Sequence, residues 1–198
     1  MLSQCDADSE VNYYLGHIYA NQEYEGFDPM LAHDYFMDSE EEALFEEANE
    51  LGKIIYSSDD YDEPNVAFDC FMKSASMGND RAMCNVAMCY LDGYGVEQDF
   101  ESAAKYYKQA ADLGNVKAMY RYGDMCLNAD YGMSNAIEGI DYITRAAYKG
   151  YADAQYSLGT CYNEGYAVSV DKVSARMWLE RAVQNGSEEA QDYLDKNF

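Results

Sequence analysis

Small and large apolar residues are arranged along this chain in a pattern that itself recurs. Ala82, Ala118, Ala154 and Ala190 stand 36 residues apart, and so do Gly78, Gly114, Gly150 and Gly186. Ala67, Ala103, Gly139 and Ala175 keep the same period. A fourth register, Gly16, Gly52, Ala87, Gly123 and Gly159, departs from it by one residue at a single step. Agreement of independent registers on one period is the signature of a repeat architecture.

Each unit reads as two helices. The first carries a small residue beside large apolar ones: Leu15-Gly16 then Tyr19, Leu51-Gly52 then Ile55, Leu158-Gly159 then Tyr162. A small residue lets a neighbouring helix approach, and the large one fills the groove a turn later. Asp28, Glu63, Asp99, Asn135 and Asp171 share the register at which the second helix begins, and four of these five types favour an N-cap. Pro29 and Pro64 follow directly, at the N1 position where a missing N–H costs nothing. The second helix then pairs a small residue with aromatics (Ala103 with Tyr106 and Tyr107, Gly139 with Tyr142, Ala175 with Trp178) and closes on the glycine register, which suits a left-handed C′ residue. Such a pair cannot bury its apolar face alone, so neighbours must stack. Most tyrosines and methionines are assigned to that packing.

The segment from Ala82 to Asn115, AMCNVAMCYLDGYGVEQDFESAAKYYKQAADLGN, resembles a Sel-one-like repeat, a relative of the tetratricopeptide repeat with a longer inter-helix loop. Residues 154–186 match nearly as well, and more degenerate units lie near 11–43, 47–79 and 118–151. The resemblance implies an all-α fold: a right-handed α-solenoid of about five helix-turn-helix repeats, closed by a solvated capping helix at 187–198, in one repeat domain over 1–198. It further implies an adaptor that binds other proteins on its inner surface. A secreted, cysteine-rich subgroup of the family would place paired cysteines at Ala111 and Met119, and again at Ala147 and Gln155. None is cysteine here, which counts against that subgroup and its penicillin-related activity.

Charge narrows the function. The 198 residues hold 37 acidic and 13 basic side chains, a net charge of −24, yet 48% of them are apolar, so the chain is not of disordered composition. Nucleic acid and anionic membranes would meet a surface of their own sign. A basic protein is the natural partner. Residues 1–64 carry 18 acids and one base, Lys53, for −17, leaving −7 for the remainder. Solvation explains a modest bias; an acidic docking face explains why it concentrates in one third, and both readings stand.

Catalytic chemistry has little to build on. His17 and His33 are the two histidines and fall in different predicted helices, and there is no GxGxxG after a strand, no P-loop and no HExxH. Asp59–Glu63 lacks the spacing and glycine of an EF-hand loop and reads as an acidic loop ending in a helix cap. Gly93-Tyr94-Gly95 reads as an inter-helix turn. Cys5, Cys70, Cys84, Cys89, Cys126 and Cys161 form no CxxC pair or zinc spacing and are expected as reduced, mostly buried thiols. No cofactor or metal is expected, and no enzyme. The start MLSQCDADSE has neither the basic nor the apolar region of a secretory signal, and no run is long enough to span a bilayer, so a cytoplasmic protein is expected.

By analogy with the tetratricopeptide groove, inward first-helix positions are Tyr13, Tyr14, His17 and Asn21; then Glu46, Asn49, Glu50 and Lys53; then Asn85, Met88 and Asp92. Tyr120, Arg121, Asp124 and Asn128 follow, and finally Tyr156, Ser157, Asn163 and Glu164. Glu41 and Glu42 join Glu46 in the acidic docking face. The tyrosines at these positions either meet a partner or only pack repeat on repeat. The leading expectation is an acidic inhibitor or immunity protein that neutralises a basic partner such as a toxin nuclease. A scaffold for signalling or secretion that holds a peptide in its groove is the alternative, ahead of a DNA mimic or an unrecognised enzyme.

Overall fold

The computed structural model describes residues 12, 16, 19–21, 25–39, 44–57, 63–132 and 135–198, with the side chains of 44 and 45 excepted. Among them are ten α-helices, one 3-10 turn and no strand: α1 (Pro29–Asp38), α2 (Leu44–Tyr56), α3 (Pro64–Ser76), α4 (Asp80–Asp92), α5 (Phe100–Asp112), α6 (Val116–Leu127), the turn Ala129–Tyr131, α7 (Ala136–Tyr148), α8 (Ala152–Glu164), α9 (Lys172–Gln184) and α10 (Glu188–Asn197). Helix starts fall where cap chemistry puts them. Asp28 accepts from the N–H groups of Met30 and Leu31, Asp171 from those of Val173 and Ser174, and Pro29 and Pro64 open α1 and α3. Gly114, at φ +103°, takes the left-handed conformation that ends α5. The predicted C-terminal helix is α10, capped by Ser187.

The helices form two compact units, residues 1–106 and 107–198, with the division inside α5. In the first, Ala32, Phe36, Leu51, Ile55, Cys70, Phe71 and Val86 make one core. Each fully buried large side chain there is worth about 2 kcal/mol of transfer free energy. Phe68 meets Tyr90 edge-on at 5.4 Å, and Tyr90 stacks on Tyr106 at 5.9 Å. The Lys73 ammonium donates to the Ser39 carbonyl at 2.8 Å, satisfying backbone just beyond α1.

In the second unit the small residues bring helices together. A Cβ on Gly123 would lie 2.8 Å from the Gly139 carbonyl oxygen, and one on Gly139 would lie 2.8 Å from that of Gly123, so α6 and α7 touch backbone to backbone. Lys108 pairs with Glu138, its ammonium 5.0 Å from the Tyr122 ring centroid and 5.6 Å from that of Tyr142. Ala147 and Gln155, where the secreted subgroup would place cysteines, are joined by a hydrogen bond: the buried Gln155 Nε2 donates to the Ala147 carbonyl at 3.0 Å. On α9, Arg176 and Glu180 form an exposed 2.8 Å ion pair at the register where α3 carries Phe68 and Met72. That face of α9 is polar.

Cys70, Cys84, Cys89, Cys126 and Cys161 are buried free thiols; Cys5 lies outside the described residues. Gly93 and Gly95 are both at φ +71° in the turn after α4, as a close turn requires. Of the acidic loop 59–63, Glu63 is described; it stands at the N-cap of α3 without a side-chain cap bond.

Candidate protein-binding faces

Of the positions singled out in the sequence, Tyr13, Tyr14, His17, Glu41 and Glu42 lie outside the described residues, and Asn21 is exposed. In the first unit, α2 and α4 carry the rest. Glu46 and Asp92 are exposed and Met88 is half-buried. Lys53 donates to Glu50 at 2.9 Å, an exposed i,i+3 pair of small energetic weight. Asn49 is buried, and its carboxamide oxygen accepts from Asn85 at 2.8 Å. Asn49 is therefore a packing group, with Asn85 the member of the pair nearer solvent.

In the second unit the face is aromatic. The Tyr120 ring lies 5.4 Å from that of Tyr151, and the Arg121 guanidinium sits 5.7 Å from the Tyr120 ring centroid. The Tyr120 hydroxyl feels the carboxylates of both Asp124 and Asp153; burial, then those charges, raise its pKa, and the nearby Ser157 side chain offsets part of that rise. Burial also raises the Asp124 pKa, which Arg121 partly offsets. Burial, then the negative charge of Asp153, push the Tyr151 hydroxyl up to about 12.

Other predicted positions are occupied from within. Asn163 donates to the Tyr193 hydroxyl at 2.9 Å and accepts from Lys172 at 2.7 Å, while Glu164 accepts from Tyr193 at 3.0 Å. Tyr156 packs edge-on against Tyr193 at 5.9 Å. Asn128 stands just past α6, where its side chain accepts from the Asp130 N–H and closes the 3-10 turn. Tyr151 and Asp153 were missed, although a signal existed. The N-cap register Asn79, Asn115, Tyr151, Ser187 contains one residue that cannot cap.

This geometry of paired helices agrees with what related chains show. The Sel1 repeat family matches residues 80–115, 116–151 and 152–187, more than half of the chain. The chain is a Sel1 repeat protein. Chitin synthase regulatory factor 3 of Schizosaccharomyces pombe is 29% identical over 153 residues, which cover 74% of this chain and 16% of that protein. The chain thus spans about a sixth of that relative's length. Among solved structures, c5321, a protective antigen of uropathogenic Escherichia coli with an SLR fold, superposes with a TM-score of 0.76 at 23% identity, over 92% of this chain and 40% of that one. The immunity protein PA5088 of Pseudomonas aeruginosa does so with a TM-score of 0.52 at 19% identity, over 95% of this chain and 67% of its own. These Sel1 repeats share the α-solenoid fold. No described helix is long and apolar enough to cross a membrane.

Proposed function

We propose that this Sel1 repeat protein is a non-catalytic, cytoplasmic binding protein that captures a basic protein partner on its first-helix faces and its acidic N-terminal third. The observation that carries the reading is the charge asymmetry: 18 acids against one base in residues 1–64 of a fold that otherwise needs no such excess. Concentrated negative charge opposes folding through self-repulsion and accelerates encounter with a positive partner. In its most specific form the role is that of an inhibitor or immunity protein covering a basic toxin such as a nuclease. The fold accommodates such a role, because the immunity protein PA5088 is built on it.

The test is capture on the immobilised chain, washed at low salt and again at about 0.5 M, where screening shortens to a few ångströms. A stoichiometric basic protein that salt releases is the expected result. Its association rate should fall when Glu41, Glu42 and Glu46 are reversed to lysine. A partner indifferent to both salt and reversal overturns the reading. The exposed Arg121 beside the half-buried Tyr120 favours a second reading as a scaffold that holds a short peptide in its groove. Under that reading Tyr120 and Arg121 substitutions abolish binding and the acidic reversals do not.

A further inference from the structure

Two departures from the repeat pattern meet at one place on the second unit. At the register where Asn79, Asn115 and Ser187 cap their helices, α8 begins on Tyr151, which makes no side-chain cap bond. Its ring lies 5.4 Å from that of Tyr120, and its hydroxyl feels the Asp153 carboxylate. At the register of Lys53, Met88 and Thr160, one residue past the small-residue register, α6 carries Asp124. That carboxylate is half-buried, and among the described residues it has no ion-pair partner within 4.0 Å. The nearby Arg121 guanidinium sits over the Tyr120 ring instead.

Both departures cost stability, one through a lost cap and one through a desolvated charge without a hydrogen-bonded counterpart. Asn79, Asn115 and Ser187 supply the cap that Tyr151 does not, and Lys53, Met88 and Thr160 place no carboxylate at the Asp124 register. A residue that opposes folding and is dispensable to the repeat is explained by what it binds.

We infer that this place seats an arginine side chain of the partner, its guanidinium forked onto the Asp124 carboxylate beside the Tyr120–Tyr151 ring pair. The inference rests on the reading of a basic protein partner and names the group that the second unit takes from it. Arginine is the better fit than lysine because its planar cation is weakly hydrated, bonds a carboxylate through two N–H groups and lies against aromatic faces. Arg121 on Tyr120 shows that a guanidinium fits against this ring.

The experiment is titration of the full chain with a penta-arginine peptide, followed by the amide NMR shifts of Tyr120, Asp124 and Asp153. These signals should move and saturate together. Asp124→Asn should weaken binding about tenfold, the value of a charge-assisted hydrogen bond. Asp192→Asn removes the same charge from an exposed position on α10 and should change it by less than about twofold, as expected of a screened surface charge. Tyr151→Asn restores a cap residue; it should weaken binding while raising the melting temperature. Equal losses for Asp124→Asn and Asp192→Asn overturn the site, since binding would then follow only the net charge. Equal affinity for penta-lysine overturns the assignment of a guanidinium. Either failure, with the partner still lost on reversal of Glu41, Glu42 and Glu46, leaves the basic-partner reading standing and removes this seat from it.

Discussion

Asn85 donates a 2.8 Å hydrogen bond to the carboxamide oxygen of Asn49, 36 residues earlier in the chain. Asn49 is 1% exposed, so this bond decides whether a buried amide is solvated by the protein or by nothing. Its amino group reaches Glu50 at 3.4 Å, a weaker contact. The pair ties α2 to α4 by polar chemistry inside a largely apolar stack, and it fixes their register more narrowly than apolar packing can.

Asn49→Ala should therefore destabilise the protein by about 1–3 kcal/mol, because it opens a small void and strands the Asn85 donor. Adding Asn85→Ala should cost less than it does in the wild type, since the partner it would lose is already gone. Urea denaturation of the two single variants and the double gives the coupling directly. A coupling of zero would show that the bond contributes nothing to folding.

The close approach at Gly123 is less forgiving. A methyl group there would stand 2.7 Å from the Ile143 Cγ1 and 2.8 Å from the Gly139 carbonyl oxygen. The second of these is backbone and cannot rotate away. Gly123→Ala should push α6 from α7 and cost more than about 2 kcal/mol, within the range of overpacked cores. Gly114→Ala meets no atom within 4 Å and suffers only the left-handed backbone, at about 1 kcal/mol. Thermal melts of the two variants should rank them in that order.

These two cases show what a sequence of this kind makes legible. The 36-residue period, the N-cap at Asp28 or Asn115 and the C′ glycine at Gly114 are local chemistry, written by residue type within a few positions, and the helices begin and end there. The face of a helix is also readable, because periodicity fixes direction. Reach is not. Asn163 and Glu164 point where the register puts them, yet Tyr193, about 30 residues on, extends to occupy both. Asn49 is legible as inward-facing, but its bond to Asn85, 36 residues on, is not. Tyr151 became meaningful only when it broke the cap register of its three counterparts.

The thiols of Cys70, Cys89, Cys126 and Cys161 should be inert in the native state. Burial pushes the Cys89 thiol up to about 12 and the Cys161 thiol up to about 11, and it raises Cys70 and Cys126 as well. The thiolate is the reacting species, so a thiol-specific reagent near pH 8 should leave these four unmodified in folded protein and label them in urea. Rapid native labelling at Cys70, which is fully buried, would mean that the α3 packing opens on that timescale.

Asp124 and Glu138 should drive stability in opposite directions with pH. The Lys108 ammonium, bonded to Glu138, is the main cause that holds this carboxyl below its ordinary value. A depressed carboxyl contributes stability that is present above the unfolded value of about 4.3 and is lost as pH falls through the folded one. Both partners are partly exposed, so the pair is worth no more than about 1 kcal/mol after screening. Glu138→Gln should accordingly be less stable than the wild type at pH 7, and the gap should close on acidification. Asp124 behaves conversely. Desolvation raises its pKa, so its contribution is fully present below the unfolded value of about 3.9 and disappears as pH rises through the folded value. Arg121 lowers that pKa without cancelling the shift, and Tyr120 is the titrating neighbour that feels the same carboxylate. Asp124→Asn should then be more stable than the wild type at pH 7, with the advantage shrinking in acid. Denaturant midpoints measured for the three proteins between pH 3 and pH 7 should show one difference curve rising with pH and the other falling. If Asp124→Asn were the less stable protein at pH 7, the carboxylate would be a folding group, and its placement beside Tyr120 would need no partner to explain it.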